Sequence, residues 1–150
     1  MATEPLITET DSRFPSGEWM GFYLQPAVSR HRHRMDLHLA FQSGTFNGEG
    51  KDGVGEFLIK GRYDLKTGEV TFYKHYVRQH SVFYRGWNEG KGIWGTWEIT
   101  GGAGEFRFSD KGGFHIWPKG MADPTGENLE AEAEVPDEAE ESVLVGEDAG

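Results

Sequence analysis

From Ser16 to Pro118 an aromatic or aliphatic residue returns at every second position, in short runs separated by glycine-rich links, and no run keeps a helical period. A period of two sends alternate side chains to opposite faces, one toward water and one toward a core, as in a half-buried antiparallel strand. The cleanest run sets Met35, Leu37, Leu39 and Phe41 on one face and Asp36, His38 and Ala40 on the other. Eight or nine such segments in about a hundred residues make a β-meander, most simply closed on itself to remove the unpaired edges. The expected fold is all-β: a single antiparallel up-and-down barrel.

The segments follow in order. Glu18 to Leu24 is the first strand, closed by Pro26, and the basic stretch Arg30 to Arg34 leads into the second. A short strand around Phe46 precedes Gly48, Gly50, Gly53 and Gly55, which read as a mobile or sharply bent connection. Phe57, Ile59, Gly61 and Tyr63 then share a face, and Lys66-Thr67-Gly68 has hairpin-turn residues. Val70, Phe72, Lys74 and Tyr76 share the next face, followed by Val82, Tyr84 and Gly86, with Phe83 and Arg85 opposite. Asn88-Glu89-Gly90 turns into Ile93, Gly95, Trp97 and Ile99. Gly101 to Gly104 leads to Phe106 and Phe108, and Lys111-Gly112-Gly113 to a last segment, Phe114 to Trp117. Every link is short, as adjacent antiparallel strands require.

Charge divides the chain. The formal net charge is −10, and residues 119–150 carry eleven acidic side chains against one lysine, whereas residues 1–118 hold fourteen of each sign. The excess therefore sits in a tail rich in Glu, Ala, Gly and Pro without aromatics, which cannot offset its ordering entropy by burial and reads as disordered. Its apolar island, Val143-Leu144-Val145, is either a chance cluster or a peptide that adds a strand to a partner's sheet edge. The tail discourages nucleic acid and anionic membranes as partners. The expected organisation is a flexible segment 1–15, a barrel domain 16–118 and an acidic tail 119–150. There is no cysteine, which excludes disulfides and thiolate chemistry, and residues 1–15 lack the apolar core of a signal peptide. No run approaches the length of a membrane span, so a cytoplasmic location is the default expectation.

Gly17-Glu-Trp19, Gly61-Arg-Tyr63 and Gly95-Thr-Trp97 each put an aromatic two residues after a glycine. In a small barrel the glycine makes room where strands bend, and the ring on the same face fills the space beside it. Gly17-Glu-Trp19 opening the first strand, followed by the meander, resembles the calycins, the superfamily of lipocalins, fatty-acid-binding proteins and avidins; Gly61-Arg-Tyr63 is similar to an avidin strand. The resemblance covers residues 16–118 in architecture and a tripeptide in motif. It implies that Trp19 closes one barrel end, beneath a basic side chain from a late strand, for which Arg107 is the match. It leaves the ligand open, since the polar set that avidins use for biotin and the arginines that hold a fatty-acid carboxylate have no counterpart here.

Among candidates for chemistry Lys74 stands first. It shares parity with Val70, Phe72 and Tyr76, so an ideal strand points its amine inward, where a lysine costs several kcal/mol unless paired or deprotonated. With Tyr63, Tyr76 and Tyr84 it would make a polar floor for a carboxylate or carbonyl. A bulge that resets the parity, or a lysine snorkelling out at the rim, are the alternatives. His31 and His33 share a face if extended, as a metal pair on a strand would, but Arg30, Arg32 and Arg34 disfavour a cation. Asp52 with Glu49 would suit a hard cation, although the spacing matches no calcium loop. The glycines at 48 to 55 precede a strand rather than a helix, which rules out a phosphate loop. Tyr73, Phe83, Trp87, Trp94 and Trp117 fall opposite the core parity and would form a patch for a protein partner or a homodimer.

The leading expectation is a non-enzymatic protein that binds a small, partly apolar or carboxylate-bearing molecule in the lumen. The lining candidates are Trp19, Tyr63, Lys74, Tyr76, Tyr84 and Trp97, and no cofactor motif stands out. A void of several hundred Å³ would favour such a binder, whereas ring-filled packing would favour an interaction module. The alternatives are a solid barrel that acts as a protein-interaction module through outer aromatics or the tail, and a lyase or isomerase with acid–base groups inside.

Overall fold

The structure, a computed structural model, describes residues 8–101, 105 and 108–126. Eight strands run in sequence: β1 (Gly17–Leu24), β2 (Arg32–Gln42), β3 (Thr45–Lys51), β4 (Glu56–Tyr63), β5 (Glu69–Tyr76), β6 (Ser81–Asn88), β7 (Ile93–Gly101) and β8 (Phe108–Pro118). Each pairs antiparallel with its neighbours, and β8 returns to β1 to close an up-and-down barrel. Burial follows the alternation: in β2 Met35, Leu37, Leu39 and Phe41 are buried, while Asp36, His38 and Ala40 are exposed. Among the described residues there is no helix long and apolar enough to cross a membrane.

Two expected links are strand instead. Gly48 and Gly50 lie within β3 because a side chain at either would run into the facing β2 backbone and the inward Leu39 or Phe57. Lys111-Gly112-Gly113 is not a turn but the middle of β8, so Phe108 and Trp117 belong to one strand. A Cβ on Gly112 would collide with the Leu24 carbonyl and sit 2.8 Å from Trp97 Nε1, whose N–H donates to that same carbonyl at 2.8 Å. Gly112→Ala is therefore expected to displace the Trp97 indole and lower stability by about 1–3 kcal/mol in urea unfolding. An unchanged midpoint would show that the strand yields at no cost.

The lumen is layered with rings. At the end formed by the start of β1 and the end of β4, Phe41 lies 4.8 Å from Phe46, 5.5 Å from Trp19 and 5.5 Å from Tyr63 between ring centroids. In the middle Tyr84 packs 4.7 Å from Phe72 and 4.8 Å from Phe114.

The lead-in to the barrel departs from the expected flexible segment. Residues 9–15 are seated on the closed end, with Phe14 completely buried and stacked on Tyr63 at 4.5 Å. Polar pins hold this arm: the Glu9 amide donates to the Phe41 carbonyl at 3.0 Å, and Tyr63 OH to Glu9 Oε1 at 2.5 Å. The buried Asn88 side chain donates to the Arg13 carbonyl at 2.7 Å, and the Trp19 indole to the Pro15 carbonyl at 2.9 Å. An apolar barrel end must be covered, and Phe14 is the ring that covers it. Trp19 is buried at this end against Phe41; Arg107, its expected stacking partner, lies outside the described residues, as does Val143-Leu144-Val145.

Candidate functional site

The opposite end of the barrel differs in chemistry. It is built from the end of β1, the start of β2, the β3–β4 loop, the end of β5, the start of β6 and the end of β7. Lys74 projects into it from β5 and is 1% exposed, so neither a parity-resetting bulge nor snorkelling applies. Its Nζ lies 2.7 Å from Asp52 Oδ2, and the two side chains are 1% and 0% exposed. Tyr76 OH donates to the same oxygen at 2.6 Å. The other oxygen, Oδ1, accepts the backbone N–H groups of Val54 at 2.9 Å and Gly55 at 3.4 Å.

Asp52 reaches this position from a loop. Its carboxylate caps its own turn, with the Asp52 N–H donating to the Gly55 carbonyl at 3.1 Å. That turn folds the side chain back under β4 into the lumen. The expectation that Asp52 joins Glu49 at a cation is thereby overturned: Asp52 is spent on a lysine, and Glu49 is exposed on the outer face of β3. Among the described residues there is no group of three or more metal-ligating side chains. His31 is exposed, and His33 is half-buried and stacks on Tyr23 at 4.8 Å.

Four rings surround the ammonium: Tyr23 at 4.5 Å from centroid to Nζ, Phe57 and Tyr76 at 4.9 Å each, and Tyr84 at 5.2 Å. Ring faces attract a desolvated cation, and the carboxylate supplies the countercharge. Burial pulls the Lys74 pKa below its ordinary value, against the opposing pull of Asp52. Burial likewise holds the Tyr76 and Tyr84 phenols well above theirs, with Asp52 adding to the effect. Both are therefore hydrogen-bond donors near neutral pH rather than general bases.

Beside the ion pair is a cavity of about 30 Å³, walled by Lys74, Tyr84, Trp97, Val82 and Tyr23, with Gln25 and His80 toward the mouth. Among the described residues Tyr84 OH makes one weak hydrogen bond, donating to Met35 Sδ at 3.9 Å. Lys74 has a third N–H beyond those directed at Asp52 and at Met35 Sδ, 3.4 Å away. Two buried donors thus border one small space. Among the described residues the lumen shows the ring-filled packing rather than a void of several hundred Å³, because inward rings occupy most of it. The space that remains has the size of a water or a terminal group, not of a whole ligand.

Of the six residues expected to line a site, Lys74, Tyr76, Tyr84 and Trp97 gather at this cavity. Trp19 and Tyr63 are buried at the far end, and Tyr63 is no part of the Lys74 floor because its hydroxyl is tied to Glu9. Burial and that carboxylate push its pKa up to about 12. Asp52, His80 and Gln25 escaped the parity argument, since all three sit in loops where alternation carries no information. The need of an inward lysine for a countercharge was the one available signal for Asp52. On the outside, Tyr73 packs on Phe83 at 5.1 Å and Trp94 on Trp87 at 5.7 Å, with Tyr73 and Trp94 exposed. Trp117 departs from that set: it is buried in an outer cluster with Met20 and Phe22.

No protein-family model matches the chain, and neither a curated protein nor a solved structure matches it.

Proposed function

We propose that the barrel is a non-enzymatic binding protein that seats the uncharged, hydrogen-bond-accepting end of a small, partly apolar ligand beside Lys74. One observation carries this reading: a fully buried ammonium, already neutralised by Asp52 at 2.7 Å, borders a 30 Å³ cavity together with the under-used hydroxyl of Tyr84. Charge counting selects the ligand end. Lys74 and Asp52 sum to zero, so a carboxylate entering the cavity would bring an uncompensated buried charge, whereas a carbonyl or amide oxygen meets two donors without one. The apolar remainder would lie against Val82, Ile99 and Trp97 toward the mouth. The architectural resemblance to calycins, with one closed end and one receiving end, supports the same reading.

Hexanamide is the probe. Titrated near neutral pH and followed by Trp97 fluorescence and by the NMR signals of Tyr84 and the Lys74 ammonium, it is expected to saturate. Tyr84→Phe should weaken it several-fold, in keeping with the loss of one hydrogen bond worth about 1 kcal/mol. Hexanoate should bind more weakly than the amide. No response from any of these groups, or equal affinity of Tyr84→Phe and the parent, would overturn the reading.

A further inference from the structure

His80 stands at the mouth of the cavity, in the turn between β5 and β6, half-buried and with its ring 5.2 Å from that of Tyr76. Its imidazole is a cavity-lining group whose charge can change in the physiological range. We propose that His80 sets the charge class of what the cavity accepts: neutral His80 leaves a site selective for uncharged acceptors, and protonated His80 converts it into a site for a small anion. The inference rests on the cavity being a binding site, as proposed above.

The charged and titratable groups around it define the balance. From β5 come Lys74 and Tyr76, from the β3–β4 loop Asp52, from β6 Tyr84 and from β1 Tyr23. Beyond Gln25, which donates to Asp110 Oδ2 at 2.8 Å, lies one further carboxylate on β8, and behind Tyr23 the stacked His33 of β2. Tyr76 and Tyr84 stay protonated throughout the range, as argued above. At the cavity wall itself, Lys74 and Asp52 cancel. Adding a proton to His80 leaves one net positive charge on a space too small for anything but a compact group. Burial and the nearby Lys74 hold the His80 pKa below its ordinary value, so the neutral state prevails at neutral pH, and a bound anion must by reciprocity raise it.

Nitrate is the test anion, because it is planar, compact and ionised at every pH used. Its affinity is expected to rise about tenfold or more between about pH 8 and about pH 5, as one unit charge appears a few ångströms away. Saturating nitrate should move the His80 NMR titration midpoint upward. His80→Gln should abolish both effects, while His33→Gln leaves them in place. Hexanamide binding should change little over the same interval. Nitrate affinity that is flat with pH, or a pH dependence that survives His80→Gln, would overturn the assignment to His80. Failure of hexanamide to bind at about pH 8 would instead overturn the binding reading, whatever nitrate does.

Discussion

Removing the Asp52 carboxylate alone, in Asp52→Ala, is expected to destabilise the barrel by about 3–5 kcal/mol, the cost of leaving a buried charge without its partner. Lys74 is 1% exposed and ringed by four aromatics, so its ammonium relies on Asp52 for its countercharge. The same substitution frees Tyr76 OH and the Val54 and Gly55 amides, adding unsatisfied donors to the loss. In urea the midpoint should fall accordingly, and the thermal transition by more than about 10 °C. The double variant Lys74→Met with Asp52→Asn is the informative counterpart. Methionine fills the lysine's volume and asparagine still accepts at the turn, so its stability should return to within about 2 kcal/mol of the parent. That folded variant should not bind hexanamide, which separates the pair's role in binding from its role in folding. An Asp52→Ala protein as stable as the parent would mean that the lysine is hydrated or neutral in place, contrary to the geometry.

Phe14→Ala is expected to cost about 3 kcal/mol or more, since it empties a completely buried ring site against Tyr63 and Phe41. Phe14→Leu, which keeps most of the volume, should cost much less. The two outcomes can be read from urea midpoints, and hydrogen exchange gives an independent measure of docking. The Glu9 amide, bonded to the Phe41 carbonyl at 3.0 Å, should lose protection in Phe14→Ala and keep it in Phe14→Leu. Equal midpoints for Phe14→Ala and the parent would show that the arm contributes nothing to closing the barrel.

Alternation makes most of the strands legible in the sequence, and the exceptions have specific causes. Gly48, Gly50 and Gly112 read as links because glycine clusters mark turns, whereas in the barrel each yields space to a facing ring or backbone. Phe14 reads as part of a flexible segment because a lone aromatic among polar residues shows no period. Its burial depends on the open barrel end it meets, a feature that exists only after closure. Lys74 was legible as inward from its parity with Phe72 and Tyr76. Asp52 and His80 were not, since a loop side chain is aimed by its turn rather than by its position in a pattern.

By itself, then, the order of apolar and polar residues determined the all-β class, the up-and-down connectivity and which face of each strand turns inward, because a strand's side-chain period is an intrinsic property of its backbone. Only the closed tertiary structure decided which inward residues meet. It placed Tyr63 with the N-terminal arm at one end and Lys74 with Asp52, Tyr84 and His80 at the other, because depth along a barrel is set by strand register and loop geometry. It also decided how much room is left: the inward rings, packed against one another, leave a small cavity beside the buried ion pair.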